Sequence, residues 1–133
     1  EIISKYDIVM DATDNLHARY LINDACVKLG KPFVYGSICE FCGQVSVFNY
    51  QNGPTYRDLF EYNDEIENFS QPLGVIGALP GIVGSLQANE AIKIILEKPG
   101  VLSGKLLTID ILNNTYLTFA IRKKGREEES LFK

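Results

Sequence analysis

Asp11, Asp14 and Asn15 close the short apolar run Asp7-Ile8-Val9-Met10 and directly precede a helical pattern. In open α/β sheets ligands gather at the carboxyl ends of strands, where such turns lie. Mg²⁺ takes one or two carboxylates and leaves its other positions to water and phosphate oxygens. A magnesium and phosphate site is therefore the chemistry these side chains suggest. Asp and Asn are also preferred helix caps, and on spacing alone capping is the commoner use. Neither G-x-G-x-x-G nor a Walker-type loop occurs in the chain, so no glycine-rich phosphate cradle accompanies the turn. Arg19 and Asn23 follow Asp14 at one and two turns of the expected helix, on its polar face. They could point at a ligand, although a lone Arg there is more often simply solvated.

Cys39-Glu40-Phe41-Cys42 is a C-x-x-C. A structural zinc needs four ligands. Cys26 falls on an apolar helix stripe, His17 is the only histidine, and no second pair exists. A redox pair of the helix-capped type needs a helix N-terminus to stabilise its thiolate, whereas a strand follows here. Two core or strand-end cysteines are the plainer reading. Gly77, Gly81 and Gly84 line the entry to a second helix, where they allow close approach of a ligand or of a packing partner, packing being the commoner role. Gln87 and Glu90 are polar on a mostly apolar helix and should tie down a neighbouring loop.

The elements that must position these residues follow from periodicity. Residues 7 to 12 read as a short buried strand, and Asn15 to Leu29 as a helix with the stripe Ala18, Leu21, Ile22, Ala25, Cys26 and Leu29. Gly30 and Pro32 stop it. Phe33 to Ser37 is a second strand, parallel to the first. Gly43 to Tyr50 alternates, with Gln44 and Ser46 on a wetter face. Thr55 to Gln71 is acidic, aromatic and aperiodic, the mark of a functional or disordered loop. Residues 81 to 97 read as a helix apolar nearly all round, hence deeply buried. Lys105 to Leu112 and Thr115 to Arg122 form a hairpin around Asn113-Asn114. Residues 1–122 make one domain, and the charged tail from Lys123 to Lys133 should fray. The fold class is α/β: short parallel strands, then antiparallel strands and a C-terminal hairpin, with two main helices.

Composition bounds the rest. The chain has 133 residues, 46% hydrophobic and 23% charged, enough for one core. A net charge of −4 argues against a nucleic-acid surface. The apolar stretch from Pro72 to Ala88 carries Pro80, four glycines and Gln87, unlike a membrane span. Three cysteines do not make a disulfide framework, so a cytoplasmic location is expected. The chain opens on Glu1, with Met10 its only methionine, and is expected to be part of a longer protein.

Several motifs occur together in one order. They are Tyr6 to Asn15, Arg19 and Asn23, Gly43-Gln44-Val45, Gly74-Val75-Ile76-Gly77, Gly84 to Lys93, and Gly104-Lys105-Leu106. From Tyr6 to Arg122 the chain resembles the C-terminal half of the catalytic domain of the ThiF/HesA/MoeB adenylyltransferases, relatives of the ubiquitin-activating enzymes. The resemblance implies a partial Rossmann-like sheet and an enzyme that uses ATP and Mg²⁺. That enzyme adenylates the C-terminal glycine of a ubiquitin-like sulfur carrier protein of thiamine or molybdopterin biosynthesis. It implies homodimerisation, while the net charge and apolar pattern give no nucleic-acid or membrane partner to expect. Asp14 matches the metal and phosphate contact, which reverses the capping preference for that residue, and Asn15 and Arg19 join it in nucleotide binding. The family's glycine-rich loop, ribose acid and phosphate-gripping Arg and Lys precede the matched region, so this stretch alone should be inactive. Many members hold a zinc with two C-x-x-C pairs. Thr55 and Asp58 replace the first pair and no cysteine supplies the second, so no zinc is expected. The loop cysteine of some members falls at Ser70. A non-catalytic module that binds the carrier or dimerises is the alternative, and a thiol-redox role for Cys39 and Cys42 a third.

Overall fold

The computed structural model describes residues 1–62 and 74–124. After a single 3-10 turn at Ile3–Lys5 come β1 (Val9–Met10), α1 (Leu16–Leu29), β2 (Phe33–Cys39), β3 (Cys42–Phe48), α2 (Tyr56–Leu59), α3 (Ala78–Ile95), β4 (Lys105–Asp110) and β5 (Thr115–Ala120). The strands form one mixed sheet in chain order. β1 runs parallel to β2, with Val9 opposite Phe33 and Met10 opposite Val34. All later pairs are antiparallel. This is the α/β architecture expected from the sequence, parallel strands first and a terminal hairpin last. In the hairpin turn Asn114 takes φ +52°, a backbone state that asparagine tolerates better than most residues.

Side-chain alternation gives the sheet two unlike faces. Phe33 and Tyr35 of β2 pack with Phe48 of β3, Tyr20, Tyr56, Leu106 and Ile121 beneath α1 and α2. Tyr56 lies within 5.0–5.7 Å, centroid to centroid, of Tyr20, Tyr35, Phe48 and Phe60. The other face sets Val45 and Ile109 against Leu79 and Val83 of α3. At Gly43 an added Cβ would fall 2.6 Å from Val83 Cγ2, so the missing side chain lets helix and sheet approach. Of the polar positions of β3, Ser46 is not wet and Gln44 is half-buried. Ser46 is fully buried and donates to Lys105 O at 2.6 Å, while Gln44 accepts from Tyr35 Oη at 2.9 Å.

Two helices depart from their periodicity. In α1 the buried residues are Arg19, Tyr20, Asn23 and Cys26, while Leu21 is 58% exposed. The helix is turned so that Arg19 and Asn23 look inward, where they find partners, while His17, Asp24 and Lys28 stay exposed. Asn23 Oδ1 accepts from Tyr56 N at 3.0 Å, so neither residue is simply solvated. α3 begins before the expected residue 81, and Pro80 sits in its first turn, where a missing N–H costs nothing. It is not deeply buried: Leu79, Val83, Gln87 and Glu90 face the sheet, and Ile92 and Ile95 are 53% and 67% exposed. A Cβ added at Gly77, Gly81 or Gly84 would meet nothing within 4 Å, so these glycines are not close-packing positions. The stretch expected to be irregular contains α2, and its remainder from residue 63, with Ser70, lies outside the described residues, as does the tail from residue 125.

Candidate functional site at the carboxyl end of β1

The chain leaves β1 through a turn that is rigidly built from below. Asp11 N donates to Val34 O at 2.8 Å, which carries the parallel pairing one residue past the strand. Asp11 Oδ1 accepts from Thr13 N at 2.9 Å and from Thr13 Oγ1 at 2.7 Å. Asp11 Oδ2 accepts from Arg19 Nε at 2.7 Å, with the Asp11 side chain fully buried. The same guanidinium reaches Thr13 O at 3.0 Å and Gly36 O at 3.5 Å and lies 5.2 Å from the Tyr35 ring centre. Burial works against the Arg19 charge, yet Asp11 and the tyrosines outweigh it, and its pKa ends above the ordinary value. Asp11 is thus committed to the turn: its carboxylate accepts three hydrogen bonds and its side chain has no exposed surface.

A third element locks the same corner. Gln87 of α3 donates from Nε2 to Asp11 O at 2.8 Å and to Val34 O at 3.3 Å. Its amide occupies the space over Gly36, where an added Cβ would come within 2.4 Å of Gln87 Cδ. Gln87 was expected to hold a loop, and it holds two strand ends instead. Glu90 does tie a loop, accepting from Leu102 N at 2.8 Å. Asn15 is the cap of α1, accepting from Ala18 N at 3.0 Å.

With Asp11 and Asn15 engaged, Asp14 is the carboxylate left at the surface. It is exposed, and no hydrogen bond or ion pair holds it among the described residues. It lines a cavity of about 790 Å³ together with Asp11, Thr13, Arg19, Gly36 and Gln87, a volume suited to a nucleotide-sized ligand. Leu16, in the first turn of α1, is on the same wall. That helix end offers the partial positive charge that favours phosphate. One free carboxylate beside a helix N-terminus fits a magnesium ion held mostly by phosphate and water. Among the described residues no group of three or more His, Cys, Asp or Glu side chains converges. The sequence thus points to Asp14 and Asn15, and folding brings Arg19 to the same cavity from beneath. Sequence reasoning missed the role of Gly36. The available signal was a glycine in the middle of a strand.

The matched family model decides the lineage: that of the ThiF family covers residues 1–130. The chain belongs to the ThiF family. Its curated relatives include a probable molybdopterin-synthase adenylyltransferase of Pyropia yezoensis, 48% identical over 124 residues, which cover 91% of this chain and 33% of that protein. An adenylyltransferase and sulfurtransferase of Dictyostelium discoideum is 49% identical over 127 residues, 93% of this chain and 30% of the relative. The chain therefore spans about a third of the length of these relatives. Among solved structures, Escherichia coli MccB with ATP superposes at a TM-score of 0.72 with 13% identity, over 90% of this chain and 38% of that one. That likeness is one of fold. At the positions where the resemblance places the first zinc cysteines, this ThiF-family chain has a hydrogen-bonded substitute. Asp58 Oδ2 accepts from Thr55 N at 2.7 Å, and Asp58 Oδ1 accepts from Lys124 N at 3.0 Å.

Proposed function

We propose that this chain is the metal-and-phosphate side of an ATP-dependent adenylyltransferase. Its substrate would be the C-terminal glycine of a ubiquitin-like sulfur carrier, of the type used in molybdopterin or thiamine biosynthesis. The observation that carries the reading is the exposed Asp14 carboxylate lining the cavity, on a turn braced by Asp11, Arg19 and Gln87. Family membership and the adenylyltransferase names of the relatives support it. In the reaction the carrier carboxylate attacks the α-phosphorus, the bond to the bridging oxygen breaks, and pyrophosphate leaves with that electron pair. Magnesium, when bound, would supply neutralisation of the charge that develops on the phosphate oxygens. Asp14 would orient that ion, Asn15 would hold the start of α1 so that its N–H groups face phosphate, and Arg19 would fix the turn rather than grip the nucleotide.

Because the chain has no glycine-rich loop, the stretch alone is expected to release no pyrophosphate. The test is exchange of labelled pyrophosphate into ATP by the natural full-length protein. Exchange that appears only when the carrier is added supports the reading. No exchange with any ubiquitin-like carrier ending in glycine would overturn it. Homodimerisation belongs to the same proposal. Every residue of the edge strand β5 is exposed, including Tyr116, Leu117 and Phe119. These residues also favour, as a second reading, a module that binds a carrier or a second copy without chemistry.

A further inference from the structure

Outside the cavity's acidic turn, the chemistry-bearing pair left unexplained is Cys39 and Cys42. They end β2 and begin β3, and they are Cα partners in the antiparallel register. Only Glu40 and Phe41 separate them, with Glu40 at φ +53°. Both thiols are free and exposed, whereas Cys26 is buried. Residues directly opposite in an antiparallel pair present their side chains on one face, with Cα atoms about 4.5–5.5 Å apart. A disulfide tolerates Cα separations of about 4.4–6.8 Å. The turn is held in place from outside: Glu40 N donates to Gly74 O at 3.0 Å, and Ile76 N donates to Glu40 O at 3.1 Å. Cys39 also lies on the wall of the cavity that holds Asp14.

We propose that Cys39 and Cys42 are a reversible dithiol–disulfide site on the rim of that cavity, oxidised by low-molecular-weight disulfides. One thiolate attacks a sulfur of the small disulfide, forming a mixed disulfide and releasing one small thiol. The second cysteine thiolate attacks the protein sulfur of that mixed disulfide, forms the Cys39–Cys42 bond and expels the second thiol. The protein loses two hydrogens with their electrons, and the small disulfide is reduced to two thiols. Cβ atoms of directly opposed residues stand slightly farther apart than a relaxed disulfide prefers. Closure draws the strand ends together, and the exposed, strained bond reopens readily. The register sets the site, not a helix N-terminus, so this C-x-x-C works on a hairpin where the helix-capped kind does not apply.

The test is incubation of the native chain with oxidised glutathione, then alkylation, trypsin and mass spectrometry. Cleavage after Lys28 and Arg57 leaves Cys39 and Cys42 together and Cys26 apart. The expected result is a peptide lighter by two hydrogens that takes no alkyl group and regains two after dithiothreitol. The Cys42→Ser variant should stop at glutathione bound to Cys39. Cys26 should stay unmodified until denaturant is added, which reports that the fold is intact. Two alkyl groups on the wild-type peptide, glutathione retained on it at equilibrium, or a bond to a second chain would overturn the proposal.

Discussion

The Asp11–Arg19 pair shows how one buried charge can serve another residue's exposure. Arg19 lines the cavity but is not a freely solvated cation, since its side chain is 8% exposed and its Nε and Nη2 donors go to Asp11, Thr13 and Gly36. Removing one partner of such a pair leaves an uncompensated buried charge, at a cost of about 3–5 kcal/mol. Arg19→Met is therefore expected to lower the denaturation midpoint strongly, and Arg19→Lys should recover only part of the loss because a lysine cannot reproduce the fork. A melt of Arg19→Met equal to the wild type would remove Arg19 from the foundation of the turn. Asp14 and Asn15 were legible in the sequence as types at a strand's end. The division of labour among the acids was not, because Asp11 is chosen by burial and by an arginine one turn into the helix. The inward turn of α1 was hidden for the same reason: apolar spacing alone carries no knowledge of partners on α2 and β1.

At the scale of elements, Gln87 and Gly36 join α3 to β2 through one shared space. Gly36→Ala forces the Gln87 amide off Asp11 O and Val34 O, an overpacking cost of about 1–3 kcal/mol. In the double variant Gly36→Ala/Gln87→Ala the clash disappears, so the two losses should fall short of adding. Strict additivity in chemical denaturation would show that the two residues do not share the site. α1 and α2 are also joined by Arg57 on Asp24, both contacts at 2.7 Å. The Arg57 hydrogen bonds hold the Asp24 pKa below the ordinary carboxylate value. Its stabilisation is present above the unfolded carboxylate pKa and is lost as pH falls through the folded one. With both side chains more than two-fifths exposed, Asp24→Asn should cost no more than about 1 kcal/mol at neutral pH. A difference between Asp24→Asn and wild type that persists below both pKa values would mean the effect is not ionic. Element types were readable from the sequence, but the hairpin register was not. A two-residue turn at Asn113-Asn114 would set Leu112 opposite Thr115, whereas Asp110 stands there across a four-residue loop. The Asp110 carboxylate accepts from Leu112 N and Asn113 N and holds the chain in the wider turn. The burial of α3 was not readable either, because apolar content alone does not say how many sides are covered.

At the scale of the whole molecule, one sheet carries two cores of different chemistry. The aromatic core beneath α1 and α2 holds ionisable groups kept neutral. Burial pushes the Cys26 thiol up to about 11 and raises the phenols of Tyr35 and Tyr56. Raised folded pKa values mean that the native state holds these protons when the unfolded chain has already lost them. Stability should be flat near neutrality and fall as pH rises above about 8.5–10, where free thiols and phenols ionise. Cys26→Ala should soften the earlier part of that decline, and an unchanged alkaline limb would show that the thiol is not its source. The exposed faces of β5 and α3 belong to this scale as well. The sequence reads their residues as apolar without saying that they lie open.

The most direct measurement is the exchange rate of the full-length protein carrying Asp14→Asn, with its carrier, ATP and magnesium present. Asp14 touches no other described side chain in a way that would support the fold, so the variant should melt as the wild type does. Its turnover should fall by about a hundredfold or more, the loss typical when one preorganised electrostatic contact to a developing charge is removed. An exchange rate equal to the wild type, in a protein that melts normally, would contradict the assignment of this turn to metal and phosphate.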